Sequence, residues 1–378
     1  MKLFIISGEP SGDLHGANLL RFLKAKQPDL QVEAWGGERM EEEGAVIVKH
    51  YKELAFMGFV EVIMNLPTIL SNFKLCKKQI TKFNPDAVIL IDYPGFNLRM
   101  AKHVHNLNIK VFYYISPQVW AWKQSRTLTI KKYVDNVYSI LPFEKDFFKK
   151  FDVEADFVGH PLLDEINRYQ SITDNNDKVN TVVLLSNGKK ILALLPGSRK
   201  QEINSMLPVM LKAAEKFTDY QVIVAGAPSQ PKALYQSIIN GASNVNLIFD
   251  HTYPLLAKAN LALVTSGTAT LEAALFRVPQ IVCYKGSGIS VMIARMLIKV
   301  KYISLVNLIM DAPLVSELIQ EEMEPNVIVE HLKKLEDGTT GRTELLKQYQ
   351  VLAEMLGGGG ASELTANLML KTLGTEAT

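Results

Sequence analysis

The sequence predicts an α/β protein built on doubly wound parallel sheets and divided into two domains. Short apolar runs alternate with amphipathic helical patterns, and turns rich in glycine and small polar residues follow the runs. That alternation is typical of parallel sheets covered by helices on both faces. The chain has 378 residues, more than one hydrophobic core usually accommodates, so two domains are expected.

Composition limits the compartment and the partners. Hydrophobic residues make up 48% of the chain and the net charge is +2, so the charge indicates no nucleic-acid partner. Cys76 and Cys283 stand in apolar contexts and are expected to be buried thiols in a reducing compartment. The first apolar run is too short for a signal peptide, and no run of about 18 uncharged apolar residues predicts a membrane span.

In the first half, strands are predicted at residues 3–6, 32–35, 86–91 and 111–115, with a last strand near Phe157. The turn at residues 7–13 precedes a helix from about Leu14, and a second helix is expected over 98–107. Polar residues follow each strand, which places them at the edge where open α/β sheets bind ligands.

Asp92 is a candidate catalytic base. It ends the apolar run 87–91, and a carboxylate at the end of a buried strand is partly desolvated, which raises its pKa toward that of a useful base. The alternative is that Asp92 only caps a turn or the helix that begins near Asn97.

An apolar segment around Met57, residues 56–64, continues into residues 66–76, with lysines at 74, 77, 78 and 82. Apolar surface beside lysines suits the face of an anionic membrane. The alternative is a core-facing helix with a solvated lysine edge. Residues 289–297 form a second apolar and basic segment with the same two interpretations.

A polar, broken stretch at 164–190 is expected to join the two domains. Strands of the second domain are predicted at residues 191–195, 221–225, 245–249, 261–264 and 280–284. Near the C-terminus, the glycines at 357–360 predict a swivel. Ser362 is expected to cap a last helix, which the swivel lets pack back on the first domain.

Two turns of the second domain have the composition of anion sites. Strand 191–195 runs into Pro196-Gly197-Ser198-Arg199 and a helix, so backbone N–H groups and the Arg199 guanidinium suit phosphate oxygens. Ser266-Gly267-Thr268 is a similar turn, and Glu272 lies about one helical turn further on, where it suits two ribose hydroxyls. An ordinary βα turn and a glutamate placed by the helix dipole explain the same residues without a ligand.

Several other chemistries lack their motifs. None of the histidines pairs at zinc spacing, and no Asp-x-Asp pair is present. There is no Gly-x-Gly-x-x-Gly turn after the first strand and no Walker lysine motif, which argues against a dehydrogenase or a kinase.

Seven motifs occur in order along nearly the whole chain. They lie at residues 7–16 (SGEPSGDLHG), 57–62 (MGFVEV), 91–97 (IDYPGFN), 116–122 (SPQVWAW), 195–199 (LPGSR), 266–272 (SGTATLE) and 320–325 (QEEMEP). As a set, they resemble the lipid-A-disaccharide synthase family. Val306 departs from the family, which usually has proline there, and the stretch around Asn175 is divergent.

The resemblance implies a GT-B fold, in which two Rossmann-like domains face a cleft. Residues 1–165, completed by a helix at about 361–378, would form the acceptor domain with the membrane-facing patch. Residues 166–190 would be a linker or insertion, and residues 191–356 the UDP-sugar domain.

The resemblance also implies an inverting transfer from UDP-2,3-diacylglucosamine to 2,3-diacylglucosamine 1-phosphate, which yields a β-1,6-linked disaccharide 1-phosphate and UDP. Asp92 would be the base. The nucleotide sugar would contact Ser198 and Arg199 at the diphosphate, Glu272 at the ribose, and Ser266, Gly267, Thr268 and Asn307, while Glu9, Ser11 and Asn97 would face the acceptor or donor sugar. No cofactor or metal ion is expected if Arg199 and helix N-termini stabilise the leaving charge.

For partners, the resemblance implies peripheral association with the cytoplasmic face of the inner membrane of a Gram-negative bacterium, and a homodimer. Two rival functions remain open: a UDP-sugar epimerase on the same architecture, and a two-lobed binding protein without catalysis. Release of UDP from acylated donor and acceptor would favour the transferase.

Overall fold

The computed structural model describes residues 1–54, 66–171, 176–242, 244–286 and 301–374. The chain divides into two compact units, one of Met1–Asp164 with Leu356–Thr378 and one of Glu165–Met355. The apolar segment around Met57, the segment 289–297 and the stretch around Asn175 lie outside the described residues.

The first unit is built on a parallel sheet of seven strands in the order β3-β2-β1-β4-β5-β6-β7. The strands are β1 (Lys2–Ile6), β2 (Gln31–Gly36), β3 (Val46–His50), β4 (Ala87–Ile91), β5 (Lys110–Tyr114), β6 (Asn136–Ser139) and β7 (Ala155–Phe157). The chain leaves β1 toward β2 and β3 and then returns to β4 on the other side of β1. The gap between the ends of β1 and β4 is therefore the switch point of the sheet, where such folds bind ligands.

Helices cover both faces of this sheet. They are α1 (Pro10–Lys26), α2 (Glu38–Glu42), α3 (Leu66–Phe83), α4 (Pro94–His105), α5 (Val119–Trp122), α6 (Thr127–Tyr133), α7 (Glu144–Lys149) and, from the chain's end, α17 (Ala361–Thr372). Helices α1 and α17 pack on one hydrophobic cluster, and α3, α4 and α6 pack on another. Short 3₁₀ turns occur at Tyr51–Glu53 and Gln124–Arg126.

Two helices begin earlier than the sequence pattern predicts. Helix α1 begins at Pro10 rather than near Leu14, and α4 begins at Pro94 rather than at residue 98. Proline is well suited to the first helical turn because its missing N–H has no intrahelical partner there. Ser11 is therefore part of the first turn of a helix, not of a glycine-rich loop.

The second unit has a parallel sheet of six strands in the order β10-β9-β8-β11-β12-β13. The strands are β8 (Lys190–Leu195), β9 (Tyr220–Gly226), β10 (Val245–Phe249), β11 (Leu261–Thr265), β12 (Gln280–Tyr284) and β13 (Ser316–Ile319). By the same reasoning as before, the switch point of this sheet lies between β8 and β11.

The described helices of the second part of the chain are α8 (Pro161–Ser171), α9 (Asn176–Ser186), α10 (Lys200–Ala214), α11 (Lys232–Ile239), α12 (Thr252–Leu256), α13 (Thr268–Leu275), α14 (Leu305–Met310), α15 (Pro325–Lys333) and α16 (Thr340–Met355), with a 3₁₀ turn at Gln320–Glu322. Helix α8 begins in the first unit and ends in the second.

The stretch 166–190, expected to be a linker or insertion, contains most of α8 and all of α9. Although its composition is polar, it contains a few apolar residues that are fully buried, among them Ile166 and Val182. Val182 packs in the hydrophobic cluster beside β8. Three strands were not predicted, namely β3, β6 and β13. In β6 and β13 the apolar residues are too few to form a run, whereas β3 begins with the short apolar run Val46-Ile47-Val48, which the prediction missed.

The glycines before α17 have a defined conformation. Gly357, Gly358, Gly359 and Gly360 all have positive φ, between 74° and 102°, in the left-handed region that glycine adopts without strain. Gly360, not Ser362, stands at the N-cap of α17. The Asp164 carboxylate accepts from the backbone N–H groups of Gly360 (2.6 Å), Ala361 (3.3 Å) and Ser362 (2.9 Å). The cap thus comes from a residue almost 200 positions earlier in the chain.

Among the described residues, no helix is both long and apolar enough to cross a lipid bilayer.

Replacing Asp164 by alanine tests the remote cap. Loss of a carboxylate from three backbone donors at a helix N-terminus should lower the free energy of unfolding by about 1–2 kcal/mol, measured by urea unfolding followed by circular dichroism. Asp164→Asn, which keeps one acceptor oxygen, should lose less. Asp29→Ala, an exposed aspartate in a turn of the same unit, is the control; equal midpoints for Asp164→Ala and the control would mean that the cap adds no stability.

Candidate active site

The first candidate loop follows β8. Gly197 has a φ of +98°, and a Cβ at this position would lie 2.5 Å from the Glu202 carboxylate. Both the left-handed conformation and the close approach require glycine. The chain can therefore turn directly from β8 into α10, which brings Ser198 and Arg199 to the carboxyl edge of the sheet.

Glu202 occupies the backbone donors of this loop. Its carboxylate accepts from the N–H groups of Ser198 and Arg199, each at 3.2 Å, and lies 3.5 Å from the Arg199 guanidinium. The sequence pattern predicts that these N–H groups hold an anion, whereas the protein supplies its own carboxylate. The Arg199 side chain is 65% exposed and remains the accessible donor of the loop.

The second candidate loop follows β11. Gly267 has a φ of +150° and precedes α13, and the Ser266 hydroxyl donates to the Ile303 carbonyl at 2.8 Å. This loop and the first one meet at the switch point between β8 and β11. They line a pocket of about 440 Å³ together with the ends of β8, β9 and β11. The predicted residues that line it are Ser198, Arg199, Ser266, Gly267, Thr268 and Glu272.

Glu272 forms part of the pocket wall. Burial raises the pKa of its carboxyl group to about 7, and the Tyr253 hydroxyl, which donates at 3.3 Å, opposes that shift. When it is charged, this carboxylate therefore favours further hydrogen-bond donors from the side of the pocket.

Asn307 is not among the residues that line this pocket. It is fully buried, and its side-chain amide donates to the Val315 carbonyl and to Glu317, both at 2.9 Å. Glu317 also accepts from the N–H groups of Ile303 and Ser304. Because Ile303 accepts the Ser266 hydroxyl, this network supports the second loop from behind; the direct contact of Asn307 with a nucleotide stays a prediction.

In the first unit, Asp92 follows β4 at the switch point between β1 and β4. Asp92 and Tyr93 have φ values of +42° and +46°, and two consecutive non-glycine residues in the left-handed region are rare and strained. The Asp92 carbonyl accepts from the Tyr113 hydroxyl and from the Asn97 amide, each at 2.8 Å. The Tyr93 ring lies against Gly8, where a Cβ would come within 2.5 Å.

These contacts hold the Asp92 side chain at the exposed edge of the sheet. Desolvation by neighbouring atoms and, second, the negative charge of Glu9 raise the pKa of its carboxyl group to about 6, against a hydrogen bond with the Tyr93 backbone that lowers it. The direction agrees with the shift expected for a carboxylate at the end of a buried strand. An accessible carboxylate with a pKa near neutrality suits the role of a general base.

The three residues expected to face the sugars differ in position. Glu9 is half-buried at the N-cap of α1, close to Asp92, and Ser11 is exposed in the first turn of that helix. Asn97 is fully buried, and its amide donates to the carbonyls of Ile91 (3.1 Å) and Asp92. Asn97 therefore shapes the turn that carries Asp92, and its side chain does not reach solvent.

Sequence reasoning missed Tyr113 and Glu144. Glu144 is buried, and its carboxylate accepts from the Ser116 hydroxyl (3.0 Å) and the Trp120 indole N–H (3.1 Å). Burial raises the pKa of Glu144 to about 7, and its hydrogen bonds oppose the shift. The sequence gives only weak signs of these two positions. Glu144 follows an apolar run that ends in a proline, and Tyr113 is one aromatic residue within an apolar run.

Comparison with known proteins identifies the family of this chain. A sequence profile described as lipid-A-disaccharide synthetase matches residues 3–358. The chain belongs to the lipid-A-disaccharide synthase family. It is a glycosyltransferase that transfers a hexosyl group and forms the lipid A disaccharide, which confirms the resemblance seen in the seven motifs.

Curated members of the family match end to end. The lipid-A-disaccharide synthase of Syntrophus aciditrophicus is 38% identical over 374 residues, which cover 97% of each chain. That of Myxococcus xanthus is 35% identical over 377 residues, 98% of this chain and 97% of the relative. That of Coxiella burnetii is 35% identical over 370 residues, 97% of each.

Solved structures share the fold at low identity. UDP-GlcNAc 2-epimerase from Neisseria meningitidis, bound to UDP-GlcNAc, superposes with a TM-score of 0.67 at 13% identity and covers 98% of this chain and all of that one. S. aureus MnaA with UDP reaches 0.70 at 15% identity, with coverage of 100% and 98%. The glycosyltransferase of kitacinnamycin reaches 0.67 at 11% identity, with 98% and 99%. The predicted GT-B class, with two parallel-sheet α/β domains, is confirmed.

Arg199→Ala should weaken UDP binding. Loss of one charge-assisted hydrogen bond to a phosphate removes about 1.5–3 kcal/mol, or about 10- to 100-fold in affinity, measured by isothermal titration calorimetry. Lys212→Ala, an exposed cation on the same helix, is the matched control and should leave the affinity unchanged. If Arg199→Ala and the control bind UDP equally well, Arg199 does not anchor the diphosphate.

Proposed function

We propose that this chain transfers the 2,3-diacylglucosaminyl group of UDP-2,3-diacylglucosamine to the 6-hydroxyl of 2,3-diacylglucosamine 1-phosphate, with inversion. The bond from the donor's anomeric carbon to the diphosphate oxygen breaks, a β-1,6 glycosidic bond forms, and UDP leaves. The observation that carries the proposal is the exposed carboxylate of Asp92 at the switch point of the first sheet, in a chain of this family.

On the acceptor side, Asp92 takes the proton of the 6-hydroxyl as the hydroxyl oxygen attacks. A pKa of about 6 leaves the carboxylate mostly charged at pH 7 while making it a stronger base than an ordinary aspartate. Tyr113 and Asn97 act through the Asp92 backbone and are positioning residues. Glu9 and Ser11 are proposed to contact the acceptor or donor sugar, because they lie at the same edge of the sheet.

On the donor side, the pocket of the second unit takes the nucleotide. The Arg199 guanidinium and the Ser198 and Thr268 hydroxyls stabilise the diphosphate, where negative charge grows as UDP leaves. The Glu272 carboxylate accepts from the ribose hydroxyls, which supply the donors that its buried position lacks. No metal or cofactor takes part in the proposed reaction.

Asp92→Asn should lower kcat by about two to four orders of magnitude, the usual contribution of a general base. The wild-type kcat/KM should rise with pH through about 6 and then level, because the raised pKa must be exceeded before the base is deprotonated. UDP release and disaccharide formation are measured together, since an epimerase of this fold would form no disaccharide.

The control is Asp146→Asn, an exposed aspartate of the same unit, which should keep normal turnover. Asp92→Asn should still bind UDP as the wild type does. Near-normal turnover in Asp92→Asn, or a flat pH profile between 5 and 8, would remove Asp92 from the role of base.

We also propose that one face of the first unit lies on an anionic membrane surface. Helices α3, α4 and α6 pack on the same hydrophobic cluster and therefore share one side of the sheet. All of their charged side chains are basic, namely Lys74, Lys77, Lys78, Lys82, Arg99, Lys102, Lys131 and Lys132. Leu70, Leu75 and Leu128 are exposed on the same helices. Because the family implies them, we include in this proposal that the chain lies at the cytoplasmic face of the inner membrane and that it forms a homodimer.

Lys74→Glu combined with Lys78→Glu should weaken binding to vesicles of phosphatidylglycerol and phosphatidylcholine. Each lysine near an anionic surface contributes about 1 kcal/mol, so affinity should fall about 30-fold or more, measured by cosedimentation at low salt. Lys212→Glu combined with Lys216→Glu, two exposed lysines of the second unit, is the charge-matched control. Equal binding by both double variants would place the membrane contact elsewhere or reject it.

A further inference from the structure

Ile115 follows β5 at the same edge of the sheet as Asp92 and has a strained backbone. Its φ is +59°, in the left-handed region that β-branched residues rarely adopt. The Ile115 N–H donates to the Tyr138 carbonyl at 3.1 Å, and the Ile115 carbonyl accepts from the N–H of Asp92 at 3.2 Å. The strained turn at Asp92 is therefore hydrogen-bonded to a second strained turn on the neighbouring strand. Strain of this kind persists only where surrounding contacts fix it, and it is most common at functional sites.

Glu144 fixes the segment that follows Ile115. The hydroxyl of Ser116, which is buried, donates to Glu144 Oε1 at 3.0 Å. The indole N–H of Trp120 donates to the same oxygen at 3.1 Å. One carboxylate oxygen thus holds both ends of the segment 116–120, and the first of these ends is the residue next to the strained Ile115.

The other oxygen of Glu144 ties this segment to the end of β6. Glu144 Oε2 accepts from the N–H groups of Ile140 and Leu141, at 3.2 and 3.1 Å. Glu144 thus accepts four hydrogen bonds, although only 1% of the residue is exposed. All four partners are donors, and an ionised carboxylate accepts through both of its oxygens. A carboxamide would present N–H groups to two of those donors, which would leave them buried without an acceptor.

The two peptide groups that flank the Asp92 Cα are held by different partners. The Asp92 carbonyl accepts from Tyr113 and Asn97, whereas the Asp92 N–H donates to the Ile115 carbonyl. Because these two peptide groups fix the φ and ψ angles of Asp92, together they set the direction of its side chain. Glu144 stands behind the second of these contacts, since it holds the residue that follows Ile115.

We propose that Glu144 is a positioning residue that directs the Asp92 carboxylate toward the acceptor hydroxyl. It acts through Ser116 and Ile115, because the hydrogen bond from Ser116 fixes the turn whose carbonyl receives the Asp92 N–H. The inference rests on the proposed function, since it takes Asp92 to be the base. Glu144 is itself enclosed, so it influences the reaction only through the backbone that it holds.

Glu144→Gln tests the inference, because the carboxamide keeps the size of the side chain and replaces one of its acceptors by a donor. We expect kcat to fall about 10- to 100-fold, since a displacement of about 1 Å can cost about 100-fold in rate. The rise of kcat/KM with pH, expected near 6 in the wild type, should move toward the ordinary pKa range of an aspartate, because a relaxed turn exposes the Asp92 carboxylate to water. Ser116→Ala and Trp120→Phe, which each remove one donor, should show both changes to a smaller extent. UDP affinity should be unchanged in all three variants.

A double-mutant cycle with Asp92→Asn separates positioning from loss of folded protein. If Glu144 acts through Asp92, Glu144→Gln should lower turnover by less than about 3-fold in the Asp92→Asn background, since the group that it directs is already gone. Loss of folded protein would lower turnover by the same factor in both backgrounds. Equal factors therefore overturn the inference, and so does a wild-type kcat in Glu144→Gln. If Glu144→Gln does not fold, the same cycle with Ser116→Ala decides.

Asp135→Asn is the matched control. Asp135 precedes β6, at the opposite end of the sheet, and its carboxylate accepts from the N–H of Val111 at 2.8 Å and from Lys110 Nζ at 2.9 Å. The change weakens a contact of the same strand β5 away from the Asp92 turn, so it should lower the melting temperature and leave kcat and the pH profile as in the wild type. Near-normal turnover in Asp92→Asn alone would reject the proposed base, and with it this inference, before Glu144 is changed.

Discussion

The candidate site of the first unit depends on one strained turn. Asp92 and Tyr93 both adopt left-handed backbone conformations, at a cost on the order of 1–3 kcal/mol each. The surrounding structure offsets that cost: the Asp92 carbonyl accepts two hydrogen bonds of 2.8 Å, and Gly8 leaves room for the Tyr93 ring. An ordinary turn would direct the Asp92 carboxylate elsewhere, so its exposure is a consequence of contacts made by Asn97, Tyr113 and Gly8.

In the second unit, the carboxylates of two buried or half-buried residues hold the pocket loops in place by accepting hydrogen bonds from backbone N–H groups. Glu202 accepts from both N–H groups of the first loop, and Glu317 ties the backbone that receives the Ser266 hydroxyl. These bonds form within the unit itself, so under the proposed function little reorganisation is needed when charge develops on the leaving diphosphate. They also leave the side chain of Arg199, rather than the backbone donors of its loop, open to the pocket.

Three carboxyl groups have pKa values raised toward neutrality, all chiefly by desolvation: Asp92 to about 6, and Glu144 and Glu272 to about 7. Their positions give them different capacities. Glu144 is enclosed by its own hydrogen bonds and orders the aromatic segment, and Glu272 borders the nucleotide pocket. Asp92 is exposed, so it can exchange a proton with a bound hydroxyl. A raised pKa alone therefore does not single out a candidate base, and the exposure of Asp92 is what distinguishes it from Glu144 and Glu272.

The sequence by itself determined the parallel α/β class, most of the buried strands, the family, and the two loops that line the pocket of the second unit, because apolar runs and glycine turns are local patterns. The tertiary structure alone decided the rest. Asp164 caps α17 in place of Ser362, Glu202 fills donors expected to be free, and Asn97 and Asn307 turn inward to support loops. Each of these depends on hydrogen bonds between distant residues, or on which side of a turn an amide faces. Neither leaves a periodic signal in the chain, since a polar residue looks the same in sequence whether it meets a ligand or a carbonyl group.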